Sequence, residues 1–507
     1  MASATLVIQF FLSGVWTNVS ADVLNAPYIK WRYGIGRDDP TSFVADTGQL
    51  EFWLDNSHRN SGAVAGYYSP GHASARAGFE LGLRVRVKST YSAADRYQFH
   101  GRISEIQPLA GRYGSRRTRV VVTDYMEEMS SRYVDLLPLQ DDQTSDELMT
   151  TLIATMDFAP LATSFDVGPE TFPSAFHDIQ GERMTVSSVA QKIVQSDLSK
   201  LWVRGDATGG ETLVLANRQD DIGKSSQLTL TDTMIDLSIS RSRSDIYNKV
   251  VVSYKPIDEG SSNEVLYNLP EEQSIAPGRP LVFTALYRDP DGGARISGKT
   301  MVTPVADTDF KFSSVSGSGS DLNASLGIAL DAGYSTGGDR AEITFTNNHA
   351  SSTGHLWLFQ LRGLALRLRD AVEVSASDTA SITAYGEKRL EFKTPYQNNY
   401  NVTSSIADFM KSRRANPYYL VDRVSFIGNT SDTLMSAAVN RDLGDMITVT
   451  ETQTGINEDY IIIEREVRVS AGTWRVNYTV ALNSGGAFWL LGEAGYSELG
   501  QTTTLGF

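Results

Sequence analysis

Asp442-Leu443-Gly444-Asp445-Met446-Ile447-Thr448-Val449, then Tyr460-Ile461-Ile462-Ile463-Glu464, then Thr473-Trp474-Arg475-Val476-Asn477-Tyr478, reads as strand, loop, strand, loop, strand. Apolar residues alternate with polar ones, the period of two expected of a strand with one buried face. About 360 residues earlier the chain writes the same pattern with Leu81-Gly82, Val85 and Val87, Tyr97-Gln98-Phe99, and Thr118-Arg119-Val120-Val121-Val122. From Gly to Tyr is 15 residues in the early copy and 16 in the late one. A β-meander built twice in one chain fits a protein that uses both copies in one ring or tube.

The chain of 507 residues is too long for a single core. Hydrophobic residues at 41% and charged residues at 21% are those of a folded protein, and 22 Tyr, 20 Phe and many short alternating runs favour β. A formal charge of −15 argues against a basic face that grips nucleic acid, and leaves open a surface past which nucleic acid slides. With no cysteine, disulfides and thiolate metal sites are excluded. The run Leu6 to Leu12 reads as a strand rather than a signal peptide, and no stretch nears the ~20 apolar residues of a membrane span. Synthesis in a cytoplasm as a soluble chain is the expectation.

Organisation follows from composition and punctuation. Residues 5–125 read as all-β, with strands at Trp31–Tyr33 and Leu50–Leu54. Thr144 or Ser145 caps a helix carrying Leu148, Leu152, Ile153 and Met156, and Thr185 caps a second carrying Val186, Val189, Ala190, Ile193 and Val194. A strand opening at Ile246 resumes at Ser381–Gly386, with Gly/Ser/Asp-spaced strands in between, and a helix covers Thr403–Arg413. The expected fold is mainly β and multidomain. It comprises a first tube-like β-barrel or meander domain over 1–135 and a small α+β domain over 136–240. A second tube-like domain runs over 241–270 with 378–485, an inserted β-sandwich over 271–377, and a docking tail over 486–507.

Catalytic signatures are missing. His58, His72, His100, His177, His349 and His355 are scattered without metal-ligand spacing. Asp289-Pro290-Asp291-Gly292 resembles the start of a calcium loop, but position 300 is Thr where an EF-hand needs Glu, so a turn is the better reading. There is neither a phosphate-cradling Gly-x-x-x-x-Gly-Lys nor a Gly-x-Ser-x-Gly elbow. Arg112, Arg116, Arg117 and Arg119 cluster in the first meander's hairpin, as solvated charge or a subunit contact. The expectation is no enzyme, no cofactor and no metal.

The late meander and the phrase Asp245-Ile246-Tyr247-Asn248-Lys249-Val250-Val251-Val252 with Ser381-Ile382-Thr383-Ala384-Tyr385-Gly386-Glu387 resemble bacteriophage tail-tip and baseplate hub proteins, and Trp31-Arg32-Tyr33-Gly34-Ile35 resembles minor tail proteins of long-tailed phages. Asp46-Thr47-Gly48, Tyr68-Ser69-Pro70-Gly71-His72 and the ending Trp489-Leu490-Leu491-Gly492 with Thr503-Thr504-Leu505 are similar to minor tail proteins of long-tailed phages. The resemblance implies a virion protein of the distal tail, made in the bacterial host. It implies a homotrimer whose six tube-like domains adapt a six-fold tube or distal tail ring above to three-fold tip or fibre proteins below. DNA would pass through the lumen without specific binding, and an acidic lining would suit that.

The assembly strands expected from this reading contain Val85, Val87, Tyr97, Phe99, Ile447, Val449, Tyr460 and Ile462. The alternative is a host-surface carbohydrate-binding tail protein, acting through Tyr287, Tyr334, Trp357 and Phe359 of the inserted sandwich, since aromatic faces suit sugar rings.

Overall fold

The computed structural model describes residues 2–36, 43–110, 115–134, 137–177, 183–220, 224–331, 333–416, 420–482, 488–489 and 504–505. Its backbone is one thirteen-stranded sheet with smaller units hung on its connections. The sheet's strands in chain order are β1 (Thr5–Leu12), β2 (Val15–Asn18), β3 (Ile29–Gly34), β4 (Asp46–Asp55), β5 (Arg84–Tyr91), β6 (Ala94–Pro108) and β7 (Arg117–Thr123). Then come β8 (Thr229–Leu230), β9 (Asp236–Ser240), β10 (Leu420–Ile427), β11 (Met446–Glu451), β12 (Ile456–Ser470) and β13 (Thr473–Leu482).

Two halves of this sheet share one topology. In the first, neighbours run β1-β5-β6-β7-β4-β3; in the second they run β8-β11-β12-β13-β10-β9. Chain order matches position for position, and all pairs are antiparallel except β8 with β11, which is parallel. Alternation drives both halves. Along β4, Leu50, Phe52 and Leu54 are buried, and along β13, Trp474, Val476, Tyr478 and Val480 are. At ~1.5–3 kcal/mol for each large apolar side chain buried, these rows supply most of the driving force.

The Leu-Gly pair that opens each meander marks equivalent backbone. Gly82 N–H donates to Ile103 C=O at 2.8 Å and Ile103 N–H to Leu83 C=O at 3.0 Å; Gly444 N–H donates to Ile462 C=O at 2.9 Å and Ile462 N–H to Asp445 C=O at 3.0 Å. Both glycines have positive φ, +78° and +82°, a turn that other residues adopt only at a cost. Beside each, the central strand carries a β-bulge, between Ile103 and Glu105 and between Ile462 and Glu464. The Tyr97–Tyr460 correspondence expected from sequence does not hold. Val85 faces Gly101 where Ile447 faces Tyr460, so Gly101 is the counterpart of Tyr460.

Between the halves lies an α+β unit. Helix α1 (Tyr125–Ser131) is capped by Asp124, α2 (Ser145–Ile153) by Thr144 in a capping box with Glu147, and α3 (Val186–Asp197) by Thr185. Strands Ala162–Phe165, Thr212–Ala216 and Lys200–Arg204 form its sheet. Tyr97 and Asp206 exchange backbone hydrogen bonds at 2.8 and 3.1 Å, and His100 Nδ1 lies 2.6 Å from Glu211 Oε2, tying this unit to β6.

The structure redraws several expected boundaries. Residues 229–240 belong to the large sheet rather than to the α+β unit. Lys249–Tyr254 pairs with Val372–Ser377 and Arg389–Lys393 in a separate three-stranded sheet, whereas Ser381–Tyr385 lies in helix α4 (Thr379–Tyr385), capped by Asp378. Helix α5 (Tyr400–Arg414) starts earlier than expected, capped by Asn399, and covers that small sheet through Ile406, Ala407 and Met410. The sandwich extends from Ile257 to Leu368, and six other strands pair with its 15-residue strand Gly354–Leu368 or with a neighbour of it. Helix α6 (Asp432–Asn440) bridges β10 and β11 where the first half has the turn-rich segment 56–83. Among the described residues the large sheet is open rather than a closed barrel, and no helix is long and apolar enough to cross a membrane. The expected docking tail lies outside the described residues, apart from a parallel pairing of Phe488–Trp489 with Thr504–Leu505.

Asp124 gives the fold a pH dependence. Its Oδ1 accepts from Met126 N–H at 3.1 Å, while burial pushes the carboxyl up to about 7. The fold therefore favours the protonated form. This contribution is complete below the unfolded value near ~4 and is lost as pH rises through about 7, at ~1.4 kcal/mol per unit. Asp124→Asn keeps the cap and removes the titration. In urea unfolding followed from pH 4 to 8, the wild type should lose up to ~4 kcal/mol relative to this variant.

Candidate assembly interface

The two halves meet edge to edge, and this junction is the best-built polar feature of the molecule. β12 is long enough to serve two partners on one side. Residues 456–461 pair with β11, and beyond the bulge Glu464–Val469 pair with β3. A bulge bends its strand and raises local twist, which is how one strand leaves one neighbour and takes another.

The approach is close. Gly34 has φ +142°, and a Cβ there would stand 2.4 Å from both Glu464 Cα and Ile463 O, so only glycine fits. On the core face, Trp31 meets Trp474 edge-on at 5.8 Å between centroids. On the opposite face, Lys30 Nζ lies 2.8 Å from Glu466 and Arg32 pairs with Glu464.

Beneath the junction sits a buried polar network. Arg465, fully enclosed, donates to Tyr33 Oη at 2.8 Å, to Gln98 Oε1 at 2.6 Å and to the Ala438 carbonyl at 2.6 Å. Tyr33 Oη in turn donates to Asp442 Oδ1 at 2.8 Å, and Asp442 Oδ2 accepts from Arg96 at 2.9 Å and from Gly205 N–H at 3.2 Å. Gln98 Nε2 donates to Ser89 Oγ at 2.7 Å and to the Val439 carbonyl at 3.0 Å. Burial raises the Tyr33 phenol well above its ordinary range, so it stays a neutral donor and acceptor. Burial also opposes the Arg465 charge, but Tyr33 and Asp442 more than offset that and hold the guanidinium protonated. The network joins β3, β6, β12, α6 and the α+β unit at one point.

Of the residues singled out from sequence, Val85, Val87, Phe99, Ile447, Val449, Tyr460 and Ile462 are buried core, and Tyr97 is half-buried beneath Arg86 at 4.4 Å. The side chains themselves face inward. What remains on the outside of the sheet is strand edge and the opposite face.

In the sandwich, Tyr287, Tyr334 and Phe359 are buried. Tyr334 Oη donates to the Val302 carbonyl at 2.6 Å and Phe359 packs edge-on against Phe345 at 4.8 Å. That corrects their expected role as sugar-stacking surfaces, because their faces are already covered by core. Trp357 alone of the four is partly exposed, held by a hydrogen bond to the Gly319 carbonyl at 2.8 Å with Lys311 over its ring at 5.1 Å. Asp289 accepts from Arg367 at 3.0 and 3.1 Å, so its carboxylate already has a cation. Among the described residues no cluster of three or more potential metal ligands occurs. Arg112 lies outside the described residues.

The solvent face of the sheet is not acidic. Lys30, Arg32, Arg84, Arg86, Arg117, Arg119, Arg468 and Arg475 lie on it with Glu51, Glu105, Glu464 and Glu466.

No family model and no curated protein matches the chain. Several solved structures are similar to it. One is a 43 kDa tail protein of prophage MuSo2 from Shewanella oneidensis, at 10% identity and TM-score 0.49, covering 95% of this chain and 98% of that one. A second is a tail protein from Neisseria meningitidis MC58, at 9% identity and TM-score 0.47, covering 94% and 96%. A third is prophage tail protein gp18 from Listeria monocytogenes EGD-e, at 8% identity and TM-score 0.43, covering 94% and 95%. These three structural neighbours are tail proteins, two of them from prophages.

Two substitutions test the junction. Arg465→Ala should cost ~3–5 kcal/mol in urea unfolding, the usual loss when a buried charge network is broken, whereas Arg119→Ala, removing a partly exposed pair, should cost under ~1 kcal/mol. Gly34→Ala should destabilise by at least ~1–3 kcal/mol, since backbone collision adds to strain, while Gly82→Ala, with open space around its Cβ, should lose only the ~1–2 kcal/mol of left-handed strain.

Proposed function

We propose that the chain is a structural protein of a phage tail tip. Three copies stand around an axis so that six equivalent β-modules form a ring, sixfold in module count and threefold in chains. Such a ring matches a six-fold tube or distal tail ring above and a three-fold tip or fibre assembly below, with DNA passing through its centre. The observation that carries this reading is the repeated six-strand topology, with its two copies joined edge to edge in one sheet. A module whose edge accepts another module in a fixed geometry repeats into a closed ring when the rotation per step divides the circle.

The role is assembly rather than catalysis, and its working parts are strand edges and the network around Arg465. The sandwich, inserted between β9 and β10, stands on a connection and leaves the ring topology undisturbed. The burial of Tyr287, Tyr334 and Phe359 weighs against carbohydrate recognition by those residues.

The native mass of the purified protein decides the matter. Light scattering should give three times 55.5 kDa at micromolar concentration or above, and a mass that stays at one or two chains overturns the ring.

A further inference from the structure

The internal junction has a vacant counterpart. The strand equivalent to β12 is β6, and the strand equivalent to β3 is β9. β12 uses its edge beyond the bulge to bind β3, but β6 beyond its own bulge is paired on one side only. Arg102–Pro108 pair with β7, and among the described residues no strand pairs with the other edge of Ser104–Pro108. Among the described residues β9 likewise pairs with β10 alone, on one of its two edges. One chain thus carries both halves of a second junction, one on the end strand β9 and one on β6 in the other half of its sheet.

We infer that β9 of one chain adds to the β6 edge of the next as an antiparallel strand, repeating between subunits the pairing of β3 with β12. This rests on the ring proposed above and supplies its seam. The register follows from equivalences already fixed. Glu464 faces Thr479 where Glu105 faces Val121, which aligns Glu466 with Gln107 and Val467 with Pro108. Lys30 faces Glu51 where Ser238 faces Arg423, and Glu51 faces Val121 where Arg423 faces Thr479, which aligns Lys30 with Ser238 and Arg32 with Ser240. Because Arg32 faces Glu466 and Trp31 faces Val467 within the chain, Ser240 faces Gln107 and Ile239 faces Pro108 between chains.

The side chains agree with that register. Leu237 and Ile239 occupy the inward positions of Ile29 and Trp31, yet are only partly buried; Ile239 faces Pro108 and Leu237 faces Ala110, and Pro108 and Ile106, next along that inward row, are half-exposed. Joining the strands covers both rows. Pro108 points its missing N–H toward the open edge, since Leu109 N–H donates to the Arg117 carbonyl on the other side, so it removes no bond within the chain.

The seam differs from its internal template in one respect. Lys30 and Arg32 meet Glu466 and Glu464, whereas their counterparts Ser238 and Ser240 meet Gln107 and Glu105 without an opposite charge. With one ladder bond removed by Pro108 and no ion pairs, the seam between chains is the weaker of the two.

The absence of cysteine makes a direct test clean. Non-hydrogen-bonded antiparallel pairs hold their Cα atoms ~4.5 Å apart, within disulfide range. In the full chain, Ser240→Cys with Gln107→Cys, oxidised by copper phenanthroline, should give a covalent species of three chains on non-reducing gels that returns to one chain on reduction. Mixing the two single variants should give covalent dimers and nothing larger. The internal pair Arg32→Cys with Glu466→Cys should close within one chain and shows that the chemistry proceeds. A trimer by light scattering that cross-links no better through 240/107 than through the mismatched 240/Asp55→Cys pair overturns the seam and leaves the ring standing. A monomer by light scattering that also fails to cross-link overturns both.

Discussion

A guanidinium in the interior needs buried acceptors, and Arg465 finds them, through its two terminal nitrogens, on three separate pieces of chain. It takes Tyr33 from the first half, Gln98 from the first half's central strand and the Ala438 carbonyl from the second half's helix. Removing such a group from water costs several kcal/mol, recovered only when its partners are in place. Apolar packing at Trp31 and Trp474 would tolerate a small slip of one strand along the other. A planar fork of donors accepts one arrangement of acceptors, so it fixes register as well as contact. Everything that depends on the relative placement of the two halves, including the direction in which the free edges of β6 and β9 point, depends on that arrangement.

Quasi-equivalence without identity is what turns a sixfold plan into a threefold one. The two modules share strand order, a bulge and a glycine turn, yet differ in what hangs from them. The link from β3 to β4 is short, whereas the equivalent link from β9 to β10 holds the sandwich and the small sheet with α5. Loops tolerate long insertions at little thermodynamic cost, because closure entropy grows slowly with length. One module was therefore free to acquire additions that the other lacks, while the strands continued to pair.

How much of this was legible in the sequence varies with the strength of the signal. The Leu-Gly turns and the alternation after them stood out because strand period and positive-φ glycine are both local requirements. Matching Tyr97 to Tyr460 failed because bulges shift the count of residues between equivalent points, and Tyr97 lies beneath Arg86 while Tyr460 is core. Strand β9, Asp-Leu-Ser-Ile-Ser, carries too few apolar residues to be told from the unit before it. Ser381–Tyr385 has the β-branched residues of a strand, but the Asp378 cap and contacts around it favoured a helix. Arg465 was missed although its parity gave it away. It shares the inward face with Val467 and Val469, where an arginine has to find buried partners.

Net charge was the poorest guide, and the reason is distribution. A chain of −15 nonetheless gathers arginines on the solvent face of its main sheet. Many are already spoken for. Arg119 holds Glu51 below the usual carboxylate range and lies 3.4 Å from Glu105, Lys30 pairs with Glu466, Arg32 pairs with Glu464, and Arg117 and Arg468 lie over Trp53 and Tyr28. Affinity for a polyanion comes from cations that neutralise phosphates and release their counterions. A guanidinium whose counter-charge is a carboxylate on the next strand has less to release, and rungs of opposite charge across strands also favour the sheet itself. In the ring proposed above, a channel lined by such rungs lets DNA pass through local pairing of charge, with no need for an acidic wall.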